Sequence, residues 1–321
     1  MRKITKTLLG IGGAFCLIGA LLFIIGFTSG GTKYVHATNL NSMNAQEDSK
    51  ESANRFTLKK TEIPDFTSLN INLEDSDLNI EESPNEKSYI EYVQATKDKK
   101  NPLSYSIENG TLTLKEAGNT GASYYINVDI SFLQAALSSK NIEDYTKESS
   151  KYENYVTLYL PKDKLVSSAK IYLGYGDFYV KNAAFDTINI KLDDGDFDAN
   201  TLTANSGKLT FSYGDCDLQK ASLGNISLTS KDGDLTVDEL TLSGKTKIAL
   251  SYGDAEITLN DSTKKVSGFD LATHYGTITA SGLNGNKTVD EDDDVNTFQS
   301  DSKDGKTKLA IDSKDGDITL K

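Results

Sequence analysis

From residue 187 onward, apolar and polar residues alternate in short runs. Ile188, Ile190 and Leu192 alternate with Asn189, Lys191 and Asp193, and past a Gly, Phe197 and Ala199 alternate with Asp196 and Asp198. The next runs repeat this with Leu209 and Phe211, then Cys216 and Leu218, then Ile226 and Leu228, then Leu235 and Val237, then Ile248 and Leu250, then Ile257 and Leu259. Period-two alternation predicts strands with one buried face. Between the runs stand Gly176-Asp177, Gly195-Asp196, Gly214-Asp215, Gly233-Asp234 and Gly253-Asp254, spaced about 19–20 residues apart, with Tyr275-Gly276 and Gly316-Asp317 further on. Gly and Asp both suit a bend.

Such a period predicts a solenoid. About 19 residues at ~3.3 Å each make a perimeter of roughly 60 Å, enough for one small coil. The expected fold is therefore all-β, a β-solenoid or β-helix of ~19–20-residue repeats. A β-sandwich with Gly-Asp hairpin turns is the second reading. The residue before each Gly is Tyr175, Asp194, Tyr213, Asp232, Tyr252, Tyr275 and Asp315. By parity these continue the inward set. One repeat per coil would alternate Tyr with Asp along one corner, the phenol donating to the carboxylate. Two repeats per coil would stack like on like. Sequence leaves the choice open.

The pattern extends upstream. Leu69, Ile71 and Leu73 lead to Asp75-Ser76-Asp77 and then Leu78 and Ile80, with Ser at the Gly position. Leu103, Tyr105 and Ile107 lead to Asn109-Gly110, then Leu112 and Leu114. The N-terminal half reads as the degenerate start of the same solenoid. Residues 118–153 break the period. Phe132, Leu133, Ala136 and Leu137 there have helical spacing, which predicts a short helical insertion around Ile130 to Ser138. The stretch from Gly282 to Asp304, with Asp292, Asp293 and Asp294, reads as an exposed loop replacing a bend.

Leu8 to Phe27 is an uncharged apolar run of bilayer length, preceded by Arg2, Lys3 and Lys6. The positive-inside rule puts residues 1–7 in the cytoplasm, an N-terminal transmembrane helix or signal anchor at 8–27 and the rest outside. Cleavage of a signal peptide after Ala37 is the alternative. Residues 28–54 read as a flexible stalk and 55–321 as the extracellular domain. The expected partners are the membrane, through that helix, and an unidentified cell-envelope protein or surface ligand.

The chain of 321 residues has a formal net charge of -13, which repels nucleic acid and other polyanions. Its two cysteines are Cys16 in the apolar run and Cys216 at an inward position, so no disulfide framework is expected. The two histidines, His36 and His274, and the absence of nucleophile-elbow, zincin or phosphate-loop motifs argue against an enzyme. A carbohydrate-active β-helix is a remote alternative, although Arg occurs only at Arg2 and Arg55. Calcium is the better chemical candidate, at Asp193, Asp194, Asp196 and Asp198, at Asp232 and Asp234, or at Asp292 to Asp294. The spacing matches no known calcium loop. No catalytic residues, no metal site and no cofactor are thus expected.

The basic start, apolar run and polar stalk precede the segments Leu69–Leu73, Asn109–Leu114 and Val156–Pro161 and then the serial Gly-Asp steps. In that order the chain resembles the bacterial putative adhesin family, a domain of unknown function with a β-helix-like fold. The resemblance covers about residues 55–321. It implies a membrane-anchored, non-enzymatic surface interaction module and no site residues. An envelope-stress or sensing accessory protein is the alternative it leaves.

Overall fold

The computed structural model describes residues 54–96, 99–117, 154–290, 292 and 294–321. The apolar run 8–27, the stalk up to residue 53 and the helix expected around Ile130 to Ser138 lie outside these residues. Among the described residues no helix is long and apolar enough to cross a membrane.

The described chain is almost entirely strand. Its middle is set by β10 (Ala183–Asp194), β11 (Phe197–Phe211), β12 (Cys216–Asp232) and β14 (Lys245–Tyr252). These pair in parallel: Ile190 lies opposite Leu209, Leu209 opposite Leu228 and Leu228 opposite Ile248. Residues one repeat apart are thus neighbours, so each repeat is one coil. The parallel register also excludes the hairpin sandwich, whose strands would run antiparallel across each Gly-Asp turn. Within β11, residues 197–199, 201–204 and 206–211 pair separately with 216–218, 220–223 and 225–230 of β12. Each coil therefore has three short sides, with bends near Asn200, Asn205 and the Gly-Asp step.

The alternation does what hydrophobicity requires of it. Ile188, Ile190, Leu192, Leu209, Phe211, Ile226, Leu228, Ile248 and Leu250 are all buried, whereas Lys191, Lys208 and Lys247 on the opposite strand face are exposed. Stacked coils merge these side chains into one apolar core. Inside it Phe178 and Phe197 stack at 5.0 Å between ring centroids, and Phe197 meets Phe211 at 5.8 Å.

At both ends the order of coils in space departs from their order in sequence. The coil of β2 (Ser68–Leu73) and β3 (Asp77–Glu82) lies between that of β6 (Thr111–Glu116) and β7 (Tyr155–Leu160) and that of β8 (Leu165–Tyr175) and β9 (Phe178–Val180). Ile71 consequently faces Ile171. At the other end the last strands, β20 (Lys308–Asp315) and β21 (Ile318–Leu320), slide between β14 with β15 (Ala255–Leu259) and β16 (Gly268–Thr273) with β17 (Ile278–Ala280).

Antiparallel strands cover the terminal coils. β1 (Asn54–Ile63) pairs with β4 (Ser88–Thr96), which pairs with β7, and β5 (Leu103–Glu108) pairs with β6. Asn109-Gly110 is therefore a hairpin turn between β5 and β6 and not a coil corner. Its positive φ values of 50° and 73° suit a tight hairpin. The stretch expected as a loop at 282–304 also corrects. It contains a second hairpin, β18 (Asn286–Asp290) and β19 (Val295–Ser300), which pairs with β16 and buries Phe298. One short helix, α1 (Asp261–Val266), was not signalled by the strand pattern. Asn260 caps it by accepting from the Thr263 N–H, and buried Thr263 accepts from the Leu242 N–H.

Candidate functional site

The Gly-Asp corner concentrates the features that hydrophobic patterning does not explain. Gly195 and Gly214 have φ of 142° and 116°, a region L side chains rarely adopt. A Cβ on Gly214 would also lie 2.3 Å from the Gly195 carbonyl oxygen, and one on Gly195 the same distance from that of Gly176. Glycine is thus needed twice over, for its backbone angle and for the close stacking of one coil on the next.

The aspartate after each Gly forms a ladder. The Asp177 N–H donates to Oδ1 of Asp77, Asp196 to Asp177, and Asp215 to Asp196, at 2.8–2.9 Å. Asp234, Asp254 and Asp317 continue it, each donating to the carboxylate one coil below at 2.8 Å, and Thr277 ends it on Asp317. Each carboxylate thereby satisfies a backbone N–H left over at a bend, where regular strand pairing stops. Ser76 takes the glycine place at the first level and is buried, exchanging hydrogen bonds with Gln94. Beside it, buried Glu116 accepts from the Glu74 and Asp75 N–H groups at 2.8 and 3.1 Å. Burial pushes the Glu116 carboxyl above the usual carboxylate range despite these two bonds.

The residues before each Gly point outward, not inward as parity suggested. Tyr175, Tyr213, Tyr252 and Tyr275 are 65%, 48%, 58% and 68% exposed. The bend resets the alternation, because the strand has already turned when it reaches them. Their order in space is regular. Tyr175 lies opposite Asp194, Asp232 opposite Tyr252, and Tyr252 opposite Asp315. The Gly195 N–H donates to the Tyr213 carbonyl and the Gly214 N–H to that of Asp232, which fills in the middle. The register of Leu73 on Leu173 carries Asp75 to Tyr175, and that of Thr273 on Ser313 carries Tyr275 to Asp315. The corner therefore reads Asp75, Tyr175, Asp194, Tyr213, Asp232, Tyr252, Asp315, Tyr275, strictly alternating. In sequence Tyr275 follows Tyr252 directly, and only the displaced last coil restores the order.

The phenol-to-carboxylate bond expected between the corner residues is not made there; a bond of that kind occurs on the neighbouring column, between residues outside the expected set. Tyr172 donates to Oδ2 of Asp193 at 2.9 Å, Lys191 donates to Oδ1 at 2.6 Å, and the Lys191 ammonium lies 4.9 Å from the Tyr172 ring centroid. Burial, then the bond to Asp193, pushes the Tyr172 phenol up to about 12. Burial alone would raise the Asp193 carboxyl. The bonds from Lys191 and Tyr172 outweigh it and hold the group below its ordinary value. Tyr213 instead accepts from Lys231 at 3.2 Å. Between Tyr175 and Tyr213 the surface sinks into a depression of about 290 Å³, lined also by Asp193, Asp194, Ser212 and Lys231.

Among the described residues, which leave out Asp293, the candidate calcium ligands do not converge. Asp193 is engaged by Lys191 and Tyr172, and Oδ1 of Asp196 and of Asp234 is occupied by the ladder. Among the described residues no three His, Cys, Asp or Glu side chains are placed to hold a metal ion. Asp198 lies in the outward column next to the ladder. Burial first, then repulsion from Asp217, Asp196, Asp177 and Asp215, raises its carboxyl. Cys216 is buried and burial pushes its thiol up, which suits packing and not reactivity. His274, the one histidine among the described residues, is exposed beside the corner.

The model of the Toastrack DUF4097 family matches residues 66–321. No curated protein matches. Similar solved structures include a putative adhesin from Bacteroides fragilis, 10% identical, covering 84% of this chain and 99% of that one with a TM-score of 0.41. A putative cell adhesion protein from Clostridium sporogenes is 14% identical, covering 82% and 99% with a TM-score of 0.33. A putative lipid binding protein from Parabacteroides distasonis is 11% identical, covering 84% and 97% with a TM-score of 0.36.

Proposed function

The chain belongs to the Toastrack DUF4097 family, and we propose that it acts as a non-enzymatic interaction module held outside the cell membrane. The carrying observation is the corner ridge, where exposed tyrosines and aspartates alternate on coils locked together by the aspartate ladder. A backbone cross-linked in this way needs little further ordering when the ridge meets a partner. Large exposed aromatic side chains carry much of the energy at interfaces. The acidic balance steers polyanions away and favours neutral or cationic ligands.

Tethering belongs to the same proposal. Leu8 to Phe27 has bilayer length and its flanking Arg2, Lys3 and Lys6 favour a cytoplasmic N-terminus. The stalk 28–54 then holds the solenoid away from the membrane surface.

The test has two readouts on the full-length chain. Protease added to intact cells removes the solenoid, and mass spectrometry of untreated protein finds the N-terminal peptide still joined to it. Pull-down from solubilised envelope recovers a partner set that a Tyr175→Ala/Tyr213→Ala variant loses. A mature N-terminus at Thr38 would sink the tether. An unchanged partner set would sink the ridge as the contact surface, and partners retained through residues 8–27 alone would point to the accessory sensing role.

A further inference from the structure

We propose that the corner ridge binds an extended β-1,4-linked glycan, neutral or amine-bearing, laid along the coil axis across Tyr175, Tyr213, Tyr252 and Tyr275. This deepens the interaction-module reading and rests on it.

The first argument is pitch. Neighbouring coils are separated by one strand spacing, and the tyrosines stand on every second coil, so they recur about every 9.5 Å. An extended β-1,4-linked chain repeats its disaccharide over a slightly greater distance, close enough for exposed tyrosine side chains to follow over a few repeats. Successive sugars in such a chain are flipped by a half turn, so every second ring presents the same face. Each tyrosine can then meet an equivalent sugar. An extended peptide strand repeats its side-chain face about every 6.7 Å and falls out of step with the ridge.

The second argument is chemistry. The electron-rich face of an aromatic ring attracts the polarised C–H groups on the apolar face of a pyranose. Between the rings the ridge presents Asp194, Asp232 and Asp315, acceptors for sugar hydroxyls or for an ammonium on an amino sugar. The depression between Tyr175 and Tyr213 shows one such step in detail. Its volume of about 290 Å³ accommodates a pyranose ring, and Asp194, Ser212 and Lys231 supply acceptor and donor groups around it. Lys231 now lies over Tyr213, 5.1 Å from the ring centroid, and must swing aside for the ring to stack. Uronic acid or phosphate polymers would meet the carboxylate column and be repelled.

The test uses full-length protein in nanodiscs, titrated with chitohexaose, cellohexaose, chitotriose and maltohexaose by isothermal calorimetry. The β-1,4 hexamers should bind, more tightly than the trimer because they span more tyrosines. Maltohexaose, whose α-1,4 linkage coils the chain, should not. A Tyr213→Ala/Tyr252→Ala variant should weaken the hexamer about tenfold or more, the scale of lost aromatic stacking. Tyr213→Phe/Tyr252→Phe should retain binding, because the ring face and not the phenol makes the contact. The circular dichroism melt of each variant verifies folding.

Absence of hexamer binding by folded protein, or equal binding of maltohexaose, would overturn the glycan assignment. So would full binding by the double alanine variant. A Lys-rich peptide that binds through the same tyrosines while glycans do not would replace the ligand class and leave the interaction-module reading standing. Loss of that wider reading would show separately, as an envelope partner set indifferent to the tyrosines.

Discussion

The backbone N–H of Asp196 donates to Oδ1 of Asp177 at 2.9 Å, one coil away. The same bond recurs at each Gly-Asp level from Asp77 to Asp317, so a side chain does at the corners what strand pairing does along the sides. Asp196→Ala removes the acceptor for the Asp215 N–H and should cost about 1 kcal/mol. Asp196→Asn keeps an amide oxygen in place and relieves repulsion with its neighbours, so it should stay within about 0.5 kcal/mol of wild type. Urea melts of the pair check this. Equal losses would mean that the charge, and not the hydrogen bond, is what the ladder needs.

Backbone angle and steric clash separate at two glycines. Gly282 has φ of 71° with open space around it, whereas Gly214 combines φ of 116° with the Gly195 carbonyl 2.3 Å from its would-be Cβ. Gly282→Ala should cost about 1 kcal/mol, the left-handed penalty alone. Gly214→Ala should cost at least about 3 kcal/mol, since the coils must part to admit the methyl group. Similar thermal melts for the two would refute the close stacking of the glycine column.

The two faces of one strand give a third comparison. Phe211 is buried against Phe197, and Lys208 on the same strand is exposed. Phe211→Ala should cost roughly 3–5 kcal/mol through the cavity it leaves. Lys208→Ala should change stability by no more than about 0.5 kcal/mol. Chemical denaturation distinguishes these readily, and comparable losses would contradict the inward and outward assignment.

Glu116 supplies a pH dependence. Its folded-state carboxyl titrates above its unfolded value, because burial opposes ionisation more than the Glu74 and Asp75 N–H groups favour it. At low pH the group is protonated in both states and its contribution is fully present. As pH rises, the unfolded carboxyl loses its proton first, so stability falls until the folded carboxyl has also ionised. Glu116→Gln keeps an acceptor for both N–H groups and does not titrate. Relative to wild type, the variant should therefore gain stability as pH rises from about 4 toward neutrality. Urea midpoints that run parallel across that range would show that Glu116 is not held above its ordinary value.

Much of this fold was legible in the residues themselves. Alternation identified the inward sets at Ile71 and from Ile188 to Leu250, though not at exposed Tyr105, because a side chain's face is decided by its immediate neighbours along the strand. The recurring Gly marked the bends for an equally local reason. What only the tertiary structure decided is which strands touch. Ile71 packs on Ile171, and β20 slides between β14 and β16, because an apolar face is satisfied by any coil of matching width. The entropy of closing a longer loop rises only slowly with length. The outward turn of Tyr175 and Tyr213 was hidden for a related reason. Parity holds along a strand and fails across a bend, and the direction of the chain beyond the bend is set by the coil stacked beneath it. The alternating ridge, with Tyr275 brought to Asp315, exists only in that stacked arrangement.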